Sequence, residues 1–233
     1  APPDALGPFR VRHQIGAGAL GPVFLAHDPE SDRQVAVKVF ALNLIPERVH
    51  ELVGEFERLA ATRLQHPSIV TPVATGIAGT LAYLAQDLAE GESLDVLLRD
   101  RGTMAPADAL RTVAQIAAAL DAAARAGVHH GTLHPRDVIL TDGPDSVARV
   151  AGLGVARALE GVAAAVPIRR SYASPERVGG VSWAQGADVY SLAALAHQML
   201  LGRRMTPGEP VAPGLAEVAG ARLALLRKAF AQG

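Results

Sequence analysis

The first ninety residues of the chain alternate between short apolar runs and turn residues, a pattern typical of β-strands. Runs rich in Val, Phe and Leu, each bounded by Gly, Pro or Asp, predict five strands, at residues 9–18, 22–28, 33–42, 68–79 and 81–88. Between the third and fourth strands, residues 46–64 carry apolar side chains at helical spacing: Val49, Leu52, Val53, Phe56, Leu59, Ala60 and Leu64. The pattern therefore predicts a sheet with one helix.

The remainder of the chain is mostly of helical character. Apolar periodicity predicts helices at residues 105–127, 184–202 and 215–230. Pro106 suits the first turn of one helix and Gly127 its C-terminal cap, while Gly202 ends the next helix. Two short apolar runs, 138–140 and 148–152, predict a hairpin around the turn TDGPDS. The whole pattern predicts an α+β protein with a sheet-rich part and a helical part, and ligands favour the cleft between two such parts.

The amino-acid composition limits the kinds of partner and chemistry that the chain can have. The 233 residues include 22 basic and 23 acidic side chains, a net charge of −1 that gives no global field for nucleic acid. There is no cysteine, which excludes disulfides, thiolate catalysis and cysteine-bound zinc. The start lacks the pattern of a signal peptide, and no apolar run is long enough to span a bilayer. We expect no nucleic-acid partner, no membrane insertion by this segment and a cytoplasmic location, either alone or as the cytoplasmic domain of a longer membrane-associated protein.

Three features of the sheet-rich part suggest phosphate chemistry. Gly16, Gly18 and Gly21 lie between two predicted strands, where glycine backbone can fold closely over phosphates, although glycine-rich hairpin turns are common. Lys38 ends the run VAVK on the next strand, and Glu57 on the following helix is a candidate partner for its ammonium. A glycine loop, a lysine in VAVK and a helical glutamate in this order are together a strong signal.

These motifs resemble those of bacterial Ser/Thr protein kinases of the eukaryotic type. LQHPSIV, SPER and GADVYSLA resemble further segments of that family, so the similarity covers about residues 9–202. The resemblance implies one two-lobed protein-kinase-like domain over residues 1–233, with a five-stranded N-lobe carrying one helix and a mainly helical C-lobe. Its approximate boundaries would be 9–88 for the N-lobe, 87–91 for the hinge and 92–233 for the C-lobe. The family's substrate-side helix is expected to be missing, which shortens the domain after the central C-lobe helix.

The resemblance also implies a candidate nucleotide site. Its residues, carried over position by position, are Gly16, Gly18, Gly21, Val23, Ala36, Lys38, Glu57, Asp87 and Ala89. Gln86 matches the gatekeeper, and three residues match members of the hydrophobic column that links the lobes in kinases: His130, Leu153 and Ala61. A plainer alternative stays open, in which the lysine and glutamate are a leftover ion pair and the glycines are only a hairpin turn.

The segment HHGTLHPRDVIL departs from the family's catalytic pattern H-R-D-L-K-P-x-N-I-L. His130 matches its histidine, Gly131 its arginine, Thr132 the catalytic aspartate, His134 the lysine and Asp137 the metal-binding asparagine. The family's D-F-G motif is represented by residues 152–154, Gly-Leu-Gly. A threonine cannot act as a general base near pH 7, and a glycine side chain offers no metal ligand. The groups that carry out phosphoryl transfer are therefore altered together.

The sequence predicts a pseudokinase with no catalytic residue and no metal site, its degenerate positions being Thr132, Asp137 and Gly152. It would act as a non-catalytic module that binds a signalling protein, requires no cofactor, and binds ATP or ADP at most weakly and without Mg²⁺. The alternative is an atypical enzyme with weak phosphoryl or nucleotidyl transfer, which needs a cation site. Arg169 replaces a threonine that contacts the catalytic aspartate in the family; with Arg170 it either receives a phosphate or acidic partner or is a solvated pair.

Overall fold

The computed structural model describes residues 2–141, 143 and 146–206, and it divides into two compact units. Of the described residues, the first unit comprises 2–65, 69–89 and 154–167, and the second comprises 66–68, 90–153 with the gaps given above, and 168–206. The helix predicted at 215–230 and the proposed shortening of the domain concern a region that lies outside the described residues.

Nine strands and six α-helices are formed by the described residues. The strands are β1 (Ala5–Leu6), β2 (Phe9–Gly18), β3 (Gly21–Asp28), β4 (Arg33–Val39), β5 (Pro72–Ala78), β6 (Leu81–Asp87), β7 (Glu92–Ser93), β8 (Val138–Leu140) and β9 (Ala148–Val150). The helices are α1 (Pro46–Ala61), α2 (Leu94–Arg101), α3 (Pro106–Arg125), α4 (Val155–Gly161), α5 (Pro175–Val178) and α6 (Gln185–Leu201), with a 3₁₀ turn at Pro135–Asp137.

The first unit is built on an antiparallel sheet with strand order β1-β2-β3-β4-β6-β5. All five predicted strands are present. The sixth, β1, was not predicted because two residues carry no periodicity. A second helix, α4, also belongs to this unit and packs against α1. Its short sequence, VARALEG, gives too few turns for an apolar stripe to be recognised.

One face of this sheet carries a compact apolar core. Phe24, Val37 and Tyr83 are buried in it, and the rings of Phe9 and Tyr83 meet edge to face with centroids 6.1 Å apart. Gly7 gives the tyrosine its space, because a Cβ there would lie 2.1 Å from the Tyr83 hydroxyl. The adjacent β1 thus closes the end of the core.

Helix α1 packs against β5 and β6 and buries an apolar stripe formed by Val49, Leu52, Phe56 and Leu59. Its Phe56 ring lies 4.7 Å, centroid to centroid, from the Phe40 ring that follows β4. Pro46 occupies the first turn, where its missing N–H costs no hydrogen bond. These four positions agree with the predicted stripe, whereas Val53 and Ala60 are only half-buried and the helix ends at Ala61, before Leu64.

The second unit is mainly helical. Helix α3 packs against α6 and against β9 of a small sheet with strand order β7-β8-β9. Helix α6 is buried over most of its surface, as its apolar sequence predicts, but four of its buried side chains are polar: Asp188, Ser191, His197 and Gln198. No helix in the described part of the chain is long and apolar enough to cross a membrane.

Neighbouring residues of α1 give a matched test of this packing. Phe56 is fully buried, so Phe56→Ala should lower the free energy of unfolding by about 3–5 kcal/mol. Glu57 is exposed, and Glu57→Ala should change the free energy of unfolding by less than about 0.5 kcal/mol. Urea unfolding of both variants measures the difference. Equal losses would mean that α1 buries a different face.

Candidate functional site

The glycine loop is the hairpin between β2 and β3, where Gly18 pairs with Gly21. Gly21 has φ +134°, and a Cβ there would lie 2.1 Å from the carbonyl oxygen of Val39, so the fold itself requires glycine. Gly16 and Gly18 are different. A Cβ at Gly18 would meet nothing within 4 Å, so packing within the described structure does not explain this glycine.

Strand pairing places three of the predicted nucleotide-site residues on one face of the sheet. Val23 lies opposite Lys38 in the β3–β4 register, and Ala36 precedes Lys38 by two residues on the same strand. Since side chains two residues apart point to the same face, all three share a surface. The Lys38 ammonium lies 5.6 Å from the centre of the Phe40 ring, and Gln86 pairs with Ala36 on β6.

The predicted contact between Lys38 and Glu57 is not formed. Glu57 is exposed on α1, and no ion pair joins it to Lys38 in the part of the chain that the structure describes. Ala61, one turn later on the same face, is also exposed and so is not part of a buried column. The physical reason is the apolar stripe of α1, which decides the buried face and on which neither residue lies.

The predicted hinge residues follow the last strand of the large sheet. The Asp87 carboxylate lies 3.8 Å from Nη1 of Arg33, and the Asp87 backbone N–H donates to the carbonyl of Thr71 at 2.9 Å. Ala89 is half-buried at the end of the first unit. These contacts hold the end of β6 in place, and a nucleotide-binding role for the two residues stays a prediction.

In the second unit, the loop that contains Thr132, where the sequence predicts a replaced catalytic residue, is held by Asp188. The Asp188 carboxylate accepts hydrogen bonds from the backbone N–H groups of His130, at 2.9 Å, and Gly131, at 2.6 Å. The His130 ring is buried, with Nδ1 accepting from the Thr132 N–H and Nε2 lying 2.9 Å from the Ala151 carbonyl. The ring is therefore assigned as neutral, with its proton on Nε2.

The Trp183 ring packs against Gly131 and leaves no room for a side chain there. Gly131 has φ +73°, and a Cβ there would lie 2.2 Å from the Trp183 ring. The guanidinium of Arg177 lies 4.3 Å from the centre of the same ring, and its Nε donates to the Gly131 carbonyl at 2.8 Å. A larger side chain at position 131 therefore cannot enter without displacing the tryptophan.

The donor set at the degenerate positions does not fit the metal ions of a kinase. Asp137 caps the 3₁₀ turn, its Oδ2 accepting from the His134 N–H at 3.0 Å, and lies 3.7 Å from His130 Nε2. Gly152 has φ +84°, and a Cβ there would lie only 3.3 Å from that nitrogen. Mg²⁺ prefers six oxygen ligands. No group of three or more metal-ligating side chains was found within the described residues.

The sequence of this chain matches that of a known protein family. Residues 9–219 match the family model for the protein kinase domain. The chain is 31% identical to the serine/threonine-protein kinases PknH and PknE of Mycobacterium tuberculosis and 32% identical to PknD, in each case over 201 residues. The chain belongs to the bacterial Ser/Thr protein kinase family. These matches cover 84% of the chain but only 32%, 35% and 30% of the three relatives.

Solved structures agree on the kinase fold, with a curled antiparallel sheet in the N-lobe and a helical C-lobe. The kinase domain of M. tuberculosis PknI aligns with a TM-score of 0.75 and 25% identity, covering 98% of this chain and 90% of that domain. A double mutant of the same PknI domain aligns with a TM-score of 0.75 and 26% identity, covering 97% of this chain and 88% of that one. The fold class predicted from the motifs is confirmed, with β1 and α4 as additions.

Sequence reasoning missed the residues that hold the kinase-family loop. Asp188 was assigned only to a helix motif, yet its carboxylate fixes the loop backbone. The contact of Arg177 and Trp183 with Gly131 also went unpredicted. The only available signals were GADVYSLA and SPER, whose resemblance to family motifs could have suggested a contact with the catalytic loop.

His134, at the position of the family's lysine, is buried rather than an ordinary surface residue. It is 6% exposed, its ring meets that of Tyr172 edge to face at 4.8 Å, and its Nδ1 accepts from the Arg136 N–H. Burial, followed by the positive charge of Arg169, lowers the pKa of His134 from 6.5 to about 4. The imidazole is therefore neutral at pH 7.

This burial predicts a pH dependence of stability. Because the unfolded chain binds a proton near pH 6.5 and the folded ring only near pH 4, the free energy of unfolding should fall as pH falls through this window. The loss should be on the order of 3 kcal/mol. His134→Asn keeps an acceptor for the Arg136 N–H and should flatten this part of the profile, measured by urea unfolding.

The exposed His13 provides the control for the pH experiment. His13→Asn should leave the pH profile unchanged, because it removes an exposed imidazole and keeps the buried His134 ring in place. If the free energy of unfolding of His134→Asn falls as steeply between pH 4 and 6.5 as that of the unsubstituted chain, His134 is not the group that causes the pH dependence.

Proposed function

We propose that this domain is a pseudokinase, a kinase-family module that acts by binding rather than by transferring phosphate. The observation that carries the proposal is the joint replacement of the base and the metal ligand by Thr132 and Gly152 on an intact, hydrogen-bonded loop. Loss of a general base costs about 10²–10⁴-fold in rate, and loss of the metal removes further charge stabilisation. The fold is retained while the chemistry is not.

The geometry around the degenerate positions supports the same proposal. The Asp137 carboxylate that would remain for a cation caps a turn. Gly152 cannot readily become an acid, because its left-handed backbone strains any side chain and its Cβ position is close to His130. Both features favour a structural use of these positions over phosphoryl transfer.

The proposed role is a protein-binding one in a signalling pathway, with no required cofactor. It rests on family membership, since PknH, PknE and PknD are named as serine/threonine-protein kinases. The chain spans about a third of each of these relatives, so the activity, partners and cytoplasmic location of the whole protein remain part of the proposal.

The alternative function is weak phosphoryl or nucleotidyl transfer from ATP. It draws on the retained glycine hairpin and on Lys38, which lies on the same sheet face as Val23 and Ala36. Such an enzyme needs at least two ligands for a cation, and the degenerate loop offers Asp137 alone. Transfer from ATP therefore has less support than the pseudokinase function.

Inactivity is the first expected outcome. Incubated with labelled ATP, Mg²⁺ or Mn²⁺ and generic acceptor proteins, the chain should transfer no label above a Lys38→Ala control. Thr132→Asp should not restore transfer, because the metal ligand at position 152 stays absent. Labelling of an acceptor or of the chain itself that disappears in Lys38→Ala would favour the enzyme over the pseudokinase.

Nucleotide binding gives a separate test. If nucleotide binds, we expect weak binding that Mg²⁺ does not improve, with ADP close to ATP, since no metal bridges the phosphates. A thermal-shift titration with each nucleotide, with and without Mg²⁺, measures this. Lys38→Ala serves as the variant that removes the cation on the sheet face. A thermal shift that appears only with Mg²⁺ would contradict this expectation and would mean that the chain has a metal ligand beyond Asp137.

A further inference from the structure

A cleft of about 370 Å³ opens in the helical unit between helices α2 and α3 and the small sheet. Its lining includes three side chains that are less than a tenth exposed, those of Leu97, Leu140 and Thr112. None of the described residues of the candidate nucleotide site or of the loop around Thr132 lines this cleft. It is therefore separate from the positions that the pseudokinase proposal concerns.

The walls of the cleft are fixed by the fold. The side chain of Gln115 on α3 donates to the Ser146 carbonyl at 3.4 Å and accepts from the Ala148 N–H at 2.8 Å, which ties the start of β9 to the helix. Gly91 has φ +146°, and a Cβ there would lie 2.0 Å from the Leu140 carbonyl oxygen, so the chain passes close to β8 just before β7. A ligand would not have to order these walls when it binds, which lowers the entropic cost of binding.

Four charged side chains among the described residues line the cleft, and two of them are paired with each other. Asp108 and Arg111 on α3 form an ion pair with 3.2 Å between Oδ1 and Nη1. Glu92 is half-buried and Arg101 is exposed, and the side chain of neither forms an ion pair or a hydrogen bond with any residue that the structure describes. One negative and one positive group in the cleft thus lack a partner within the described ranges.

The two unpaired charges lie at opposite ends of α2. Glu92 precedes the N-cap residue, Ser93, and Arg101 is the last residue of the helix. A rise of about 1.5 Å per residue separates the first and last residues of this helix by about 10 Å. Leu97 lies between the two ends, one turn before Arg101, so both side chains are on the same face of α2. Along the helix, the cleft therefore presents an acid, an apolar side chain and a base in that order.

We propose that this cleft, hereafter the α2 cleft, binds an extended segment of a partner protein with the pattern basic-x-apolar-x-acidic. In an extended chain, alternate side chains share one face, and the first and fifth residues lie about 13 Å apart, enough to reach along α2. The basic side chain would pair with Glu92, the apolar one would cover Leu97, and the acidic one would pair with Arg101. The inference deepens the proposed protein-binding role, on which it rests, by naming the chemistry of the partner.

The test uses two acetylated and amidated pentapeptides, one for each chain direction: Arg-Ala-Leu-Ala-Glu and Glu-Ala-Leu-Ala-Arg. Each is titrated into the ¹⁵N-labelled chain without nucleotide or metal. We expect at least one peptide to shift the amide resonances of Leu97 and Thr112, which line the α2 cleft, and not that of Lys38 on the large sheet. The absence of any shift with both peptides at millimolar concentration would overturn the proposal.

Glu92→Gln and Arg101→Gln should each weaken binding of the peptide about fivefold, since each removes one ion pair at a partly exposed site. Glu90→Gln and Arg99→Gln are the matched controls, because they remove the same charges from exposed positions outside the α2 cleft. These controls should leave the affinity within about twofold. Equal weakening by the variants and their controls would indicate only a diffuse electrostatic field and would contradict the proposal. None of the four side chains is buried, so the variants should fold, as urea unfolding will check.

Two further probes identify what the α2 cleft recognises. The uncharged peptide Gln-Ala-Leu-Ala-Gln should not bind; if it binds as well as the charged peptides, Glu92 and Arg101 serve only the dipole of α2, and the proposal is wrong. Nα-acetylarginine amide should bind far more weakly than the pentapeptide, and equal binding would mean that the cleft takes a small cation rather than a protein segment. Because neither ATP nor phosphate transfer is measured, failure here leaves the test of catalytic inactivity intact.

Discussion

The helical unit depends on one buried carboxylate. Asp188 is 2% exposed, and its two oxygens accept from consecutive backbone N–H groups at 130 and 131. Hydrogen bonds to an ionised acceptor are about twice as strong as neutral ones, and a buried charge without them is strongly unfavourable. The loop must therefore approach α6 with both N–H groups pointing at Asp188, which fixes the backbone immediately before Thr132.

The substitutions along this loop depend on one another. Gly131 is compatible with Trp183 only because it lacks a Cβ, and the tryptophan in turn carries the Arg177 guanidinium that holds the Gly131 carbonyl. Gly152 leaves room for the His130 ring, whose proton is directed to Ala151. A larger side chain at position 131 or 152 would therefore meet packing that leaves it little room.

The sequence was most informative where a pattern repeats. Long periodic segments predicted the five main strands and the helices at α1, α3 and α6, and motif order predicted the family. Motif alignment failed for Glu57, because the packing of α1 follows its apolar stripe and not a family role. The burial of His134 against the Tyr172 ring joins positions about forty residues apart, and no local pattern encodes such a contact.

The loop around Thr132 is held by contacts that are directed at its backbone atoms. Asp188 accepts from the N–H groups of His130 and Gly131, and Arg177 donates to the Gly131 carbonyl. Neither contact is made with the Thr132 side chain, whereas position 131 must remain glycine because a Cβ there would lie 2.2 Å from the Trp183 ring.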